Sequence, residues 1–192
     1  MTIIAGLDYS MTGPSLTICD YNGKFGMDNC SIYYMTDTKK YQGTFCGGSI
    51  MGVPFKKYNT DIERYALISD YFSKMIEGYA SVHSQNLHSL KVMIEGYAMG
   101  AKGQVFNIAE NTGIMKYRLF QSGITLSIIS PKSVKKFATG SGNSDKQAMY
   151  DAFLAETKLD LRKELQYDKK DISSPIGDIV DSYYICKMLT IP

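Results

Sequence analysis

Two apolar stretches of this chain each end in a single carboxylate: residues 3–8, IIAGLD, stop at Asp8, and residues 90–95, LKVMIE, stop at Glu95. A loop containing small residues follows each. If the two stretches are neighbouring strands the acids converge, and like charges in a partly desolvated site raise each other's pKa unless a cation neutralises them. Oxygen ligands of this kind favour Mg²⁺ or Mn²⁺. Near the other end of the chain, Asp178 and Asp181 stand three apart, on one face of a helix, with no basic residue between them. An acid at a strand end also serves as a loop cap, and acids in a first helical turn also complement the helix dipole. Taken together, the four acids favour a shared metal site over four unrelated caps.

The cationic counterpart is residues 130–147, SPKSVKKFATGSGNSDKQ, where Lys132, Lys135, Lys136 and Lys146 face only Asp145. A helix start with free backbone N–H groups, a serine and a lysine suits a phosphate oxygen, although a solvated helix face has the same composition. This patch is local, because Lys plus Arg total 21 against 19 Asp plus Glu, a formal charge of only +2. Cys19, Cys30, Cys46 and Cys186 contain no C-x-x-C pair, and His83 and His88 are the only histidines. That excludes zinc-ligand spacing and makes a Ser-His-Asp or Cys-His centre a poor reading. Reduced, structural thiols are expected, and chemistry falls to carboxylates and lysines. The 15 tyrosines suit stacking on unpaired bases, but spacing selects none of them.

The elements that must position these groups follow from periodicity. Residues 3–8 and 15–20 read as antiparallel strands across a Gly-Pro turn, and a β-prone stretch covers roughly 25–46. The glycines at 43, 47, 48 and 52 then make 43–58 a loop. Ile62, Tyr65, Ala66, Phe72, Met75, Ile76 and Tyr79 recur at helical spacing over 61–79. After strand 90–95 comes a second helix, 104–121, then strand 124–129. Ser130-Pro131 opens a short helix ending at Thr139-Gly140. Ser144 with Gln147 forms a capping-box pattern for the next helix. A charged, helix-prone stretch covers 157–171, and Ser174-Pro175 opens a last helix with a stripe of Ile176, Val180, Tyr184 and Met188.

With 192 residues, 44% of them apolar, the expectation is one domain over 1–192 that needs no disulfide or structural metal. The apolar runs are too short to span a membrane, and MTIIAGLDYS has neither the charge pattern of a signal peptide nor that of a transit peptide. The expected setting is a reducing one, cytoplasmic or nucleoid-associated, and a viral protein acting inside a host cell also fits.

Four motifs in order resemble the RuvC-type Holliday-junction resolvases of the ribonuclease H-like superfamily, over most of the chain. GLDYSMTGPSLTI is similar to the family's first strand and turn, MIEGYAMGAKG to its Ile-Glu segment, SVKKFATGSGNSDKQ to its Val-Lys and Gly-x-Gly-to-lysine stretch, and GDIVDSYYICK to its terminal D-x-x-D helix. The chain departs from the family at Asp8-Tyr9-Ser10, where Asp-Pro-Gly is usual, and at Ala98, where a base-stacking Phe is usual and Tyr97 is the substitute at hand. It departs again in a longer, glycine-rich segment over 36–58 and in lacking a basic tail after Asp181, as expected of a divergent or viral branch.

The resemblance implies an α/β fold, a ribonuclease H-like mixed sheet of three antiparallel strands followed by parallel strands, flanked by helices. It implies a DNA endonuclease in which Asp8, Glu95, Asp178 and Asp181 hold two Mg²⁺ ions, Mn²⁺ substituting, roughly 4 Å apart. Lys146 would offset charge on the scissile phosphate, with Lys132, Lys135, Lys136, Tyr97 and Lys102 as DNA contacts. Symmetric nicking of four-way junctions, leaving 5′ phosphate and 3′ hydroxyl ends, would need a homodimer, with helix 104–121 as the implied interface. A nuclease for flaps or forks and a noncatalytic junction-binding module are the rival readings. A sugar-kinase or actin-like protein is disfavoured by the chain's length and by the absence of a P-loop.

Overall fold

The computed structural model describes residues 2–96 and 105–191. Its first strands are β1 (Thr2–Asp8), β2 (Ser15–Tyr21) and β3 (Cys30–Met35), and two short strands follow, β4 (Gly43–Phe45) and β5 (Ile50–Val53). Next come α1 (Asp61–Val82), β6 (Lys91–Glu95), α2 (Val105–Gln121) and β7 (Thr125–Ile129). The chain closes with α3 (Pro131–Thr139), α4 (Lys146–Thr157), α5 (Leu161–Glu164) and α6 (Ile176–Met188). All seven strands form one sheet in the order β4-β5-β3-β2-β1-β6-β7. The pairs β1–β2 and β2–β3 are antiparallel, while β1–β6, β6–β7 and β3–β5 are parallel. This is the expected mixed α/β sheet. Strands β1, β3, β5, β6 and β7 consequently point the same way, and their carboxyl ends share one edge.

One face of the sheet packs on α1 and α2 through Leu7, Leu16, Ile68, Phe72, Ile94 and Met115. The opposite face packs on α3, α4 and α6 through Ile32, Tyr34, Val134, Phe153, Ile179 and Tyr183. Helix α6 is sandwiched between sheet and helices, so its burial is nearly all-round rather than the stripe expected from Ile176, Val180, Tyr184 and Met188. It lies so close to β1 that a Cβ at Gly6 would collide with the backbone of Cys186 and with the carbonyl of Ser182.

The structure corrects four readings of local sequence. The segment 43–58 is not all loop, because β4 and β5 lie within it, and β5 adds to β3 in parallel. Its glycines hid it: the backbone passes Gly52 against the Tyr34 ring, whose hydroxyl donates to the Tyr41 carbonyl at 2.6 Å. The β-prone stretch 25–46 is strand mainly over Cys30–Met35. The cap of α4 is Asp145, which accepts from Ala148 N at 2.8 Å, because the Ser144 hydroxyl is taken by Thr139 Oγ1 at 2.6 Å. The stretch 157–171 folds only one turn of helix, α5, which is capped by Asp160 and buries Leu161. Among the described residues no helix is long and apolar enough to cross a membrane, and all four cysteines are free thiols.

Candidate active site

Asp8 ends β1 and Glu95 ends β6, and the parallel register that pairs Leu7 with Ile94 sets the two acids side by side at the carboxyl edge of the sheet. Helix α6, packed along β1 and β2, brings Asp178 and Asp181 from its first two turns to the same edge. The electrostatics show that the four acids form one cluster. Burial pushes the Asp8 carboxyl well above the usual range, and the charges of Asp178, Asp181 and Glu95 push it further. Glu95 is pushed up to about 7 by burial and then by Asp181. Burial, with help from Asp178, lifts Asp181 to about 6. Asp178 is raised by burial and drawn back by the Ser174 hydroxyl and by Lys146.

Three lysines reach this cluster, Lys146, Lys135 and Lys169, the last lowering Asp178 alone. The charge of Lys146 lowers the pKa of all four acids, and its Nζ lies 3.9 Å from Asp178 Oδ1. That ion pair is half-exposed on the lysine side, so it is screened and weak. Lys135 of α3 lowers Glu95 and Asp181. Lys132 and Lys136 lie exposed on the same short helix and join no such interaction. Tyr97 and Lys102 lie outside the described residues.

Several residues that the sequence did not single out build this cluster. Gly13, in the turn after β1, leaves no room for a Cβ against Asp178 Oδ2 and the Ser174 hydroxyl. The Ser10 hydroxyl accepts the Gly13 N–H at 3.0 Å and closes that turn. Behind the acids, Ser182 of α6 hydrogen-bonds to Ser15 and Thr17 of β2, both at 2.9 Å and fully buried. Ser182 follows Asp181 directly and Ser15 faces Asp8 across the β1–β2 ladder, so these hydroxyls set the height of α6 against β1. Ser174 was expected to cap α6. Instead the helix starts after Pro175 without a side-chain cap, and Ser174 sits beside Asp178.

The donor set suits a hard divalent cation. It is all carboxylate oxygen, buried and under-neutralised, and Asp178 Oδ2 is buried with the Ser174 hydroxyl nearby but outside hydrogen-bonding geometry. Among the described residues no group of three His, Cys, Asp or Glu side chains is arranged as a cage that could hold a metal ion. Mg²⁺ needs no such cage, since it commonly takes one or two carboxylates and fills its shell with water and substrate phosphate.

No protein-family model and no curated protein matches the chain. Solved structures do. A structure of Thermus thermophilus RuvC superposes with a TM-score of 0.53 at 14% identity, over 98% of each chain. A structure of T. thermophilus RuvC in complex with Holliday junction substrate gives 0.55 at 12% identity, over 96% of this chain and 92% of that one. This chain has a RuvC-like fold. The match runs from end to end, so the RuvC-like frame includes the edge where β1, β6 and α6 bring the acids together. At this identity the likeness concerns the backbone path and leaves the chemistry to the side chains themselves.

Proposed function

We propose that this chain is a divalent-metal-dependent DNA endonuclease that resolves four-way junctions by paired nicks, leaving 5′ phosphate and 3′ hydroxyl ends. The observation that carries the reading is a buried cluster of four carboxylates, with too little positive charge to neutralise it, at the carboxyl edge of a RuvC-like sheet. Asp8, Glu95 and Asp181 would hold Mg²⁺ or Mn²⁺, with Asp178 assisting through its unpartnered Oδ2. Two such ions, when bound, would supply a Lewis acid for the scissile phosphate and a lowered pKa for the attacking water. The chain's own residues do the remaining work. Lys146, at the first turn of α4, would offset charge developing on the nonbridging oxygens. Lys135, with Lys132 and Lys136 on the outer face of α3, would hold the DNA backbone, and Tyr97 and Lys102 would contact the junction.

Paired nicks on a symmetric substrate require two sites related by a two-fold axis, hence a homodimer. Helix α2 offers the face for it: Phe106, Tyr117 and Phe120 are 82%, 61% and 77% exposed. They fall within about 60° of one another around the helix.

The deciding experiment is cleavage of an end-labelled four-way junction beside matched duplex, flap and fork DNA, with Mg²⁺ or Mn²⁺. Symmetric nicks on the junction, abolished by EDTA and by Asp8→Asn, are the expected result. Preferential cutting of flaps or forks would keep the metal site and replace the substrate. Absence of metal-dependent cleavage on every substrate would overturn the enzymatic reading and leave a binding module.

A further inference from the structure

The carboxyl edge that carries the acids also carries the segment between β5 and α1, residues 54–60, PFKKYNT. Arg64, on the first turns of α1, ties this segment to the turn after Asp8. Its guanidinium donates to the Met11 carbonyl at 2.6 Å and lies 5.5 Å from the Phe55 ring centre and 5.0 Å from that of Tyr58. The strap is thus held by an interaction that spans two elements, besides the Asn59 N–H bond to Glu63 at its end.

Its two lysines are spare charge. Lys56 and Lys57 are exposed, and among the described residues neither forms an ion pair. The neighbouring acids are engaged elsewhere: Glu63 accepts from Asn59 N at 2.7 Å and Asp61 from Asn107 at 3.4 Å. Asp70, which lines the cavity beneath Lys56, is paired with Lys74 at 2.9 Å and with Arg118 at 3.6 Å.

Topology sets the distance. Along the edge, β5 is three strands from β1, about 14 Å at the usual interstrand spacing, and β7, which leads into Lys132 and Lys135, lies two strands away on the other side. Basic groups therefore flank the acid cluster in both directions, one set on each face of the sheet.

We propose that Lys56 and Lys57, on the strap fixed by Arg64, are a second DNA-backbone contact, gripping an arm of the substrate to one side of the cut. This rests on the nuclease reading above and adds residues outside the lysine segment of α3 and α4. The test is the salt dependence of binding to a fluorescent four-way junction in EDTA, where no cleavage occurs. Lys56→Ala with Lys57→Ala should weaken binding and reduce the slope of log K against log salt by about 2, one for each lost phosphate contact. Lys56→Arg with Lys57→Arg should restore both. Lys24→Ala with Lys91→Ala removes equal charge at the opposite edge and should leave the slope unchanged. The proposal is overturned if the 56/57 alanine pair binds as wild type, or if the 24/91 pair loses as much. A wild-type protein that binds no branched DNA would overturn the nuclease reading, and this inference with it, which distinguishes the two failures.

Discussion

Asp8, Glu95, Asp178 and Asp181 are held in an environment that disfavours their charged forms. In the unfolded chain carboxyls titrate near their ordinary values, around 4. In the folded chain burial pushes Glu95 up to about 7 and Asp181 up to about 6, and raises Asp8 and Asp178 as well. Between about pH 4 and 7 the native state therefore binds more protons than the unfolded one, and the stability these protons confer is lost as pH rises through the folded values. Metal-free protein should melt at a higher temperature near pH 5 than near pH 8 as far as these groups control it. Added Mg²⁺ should raise the Tm chiefly at the higher pH, because binding requires the ionised acids. Asp8→Asn should raise the metal-free Tm at pH 8 by a few degrees, at ~2–4 °C per kcal/mol for a domain of this size, while the Mg²⁺ response is lost. Thermal melts at the two pH values, with and without Mg²⁺, check both statements. A Tm that is independent of Mg²⁺ at pH 8 would remove the metal site. The four acids were legible in the sequence because each ends an apolar strand or opens an apolar helix. Gly13 and Ser174 were not, since a glycine in a turn or a serine before a proline carries no mark of the carboxylate it packs against.

Whether those acids form a site depends on one element, α6, and on where it rests against β1 and β2. Gly6 lets the backbones approach, and the buried trio Ser15, Thr17 and Ser182 fixes the contact. Removing one member leaves the others buried and unpaired, at a cost of about 1–3 kcal/mol, whereas replacing all of them by apolar groups of similar shape is close to neutral. Ser182→Ala should therefore lower the Tm by several degrees and weaken Mg²⁺ binding. The triple Ser15→Ala, Thr17→Val, Ser182→Ala variant should recover most of the Tm, as urea and thermal unfolding would show. A triple variant less stable than the single would refute this account. The same element marks the limit of sequence reading. The apolar runs of β1 and β6 and the helical spacing of α1 and α2 were visible because each is long enough to show its period. Strand β5 is four residues with a glycine inside, too short and too bare to show alternation. The cap of α4 lay between two adjacent cap-forming residues, and only the Thr139 contact decides it.

The whole molecule leaves one feature unaccounted for within a single chain. Phe106, Tyr117 and Phe120 crowd one outward face of α2, and Ile128 on the edge strand β7 is 58% exposed as well. Full burial of three aromatic side chains accounts for roughly 450–750 Å², short of the ~800 Å² per partner that a standard interface buries. The β7 side must therefore join the contact if a dimer forms. Such a dimer would pair two acid clusters across a two-fold axis, as the proposed paired nicking of a symmetric substrate requires. Sedimentation equilibrium at micromolar concentration should give twice the chain mass for the wild type. Phe120→Glu, which places a charge on the apolar face, should give the chain mass alone. Because Phe120 is distant in the fold from α6, the variant should keep its Mg²⁺-dependent rise in Tm while its nicks on the two strands lose their coupling. A wild type that stays monomeric with junction DNA present would leave the aromatic face without this role and would demand that paired nicks arise from two independent encounters.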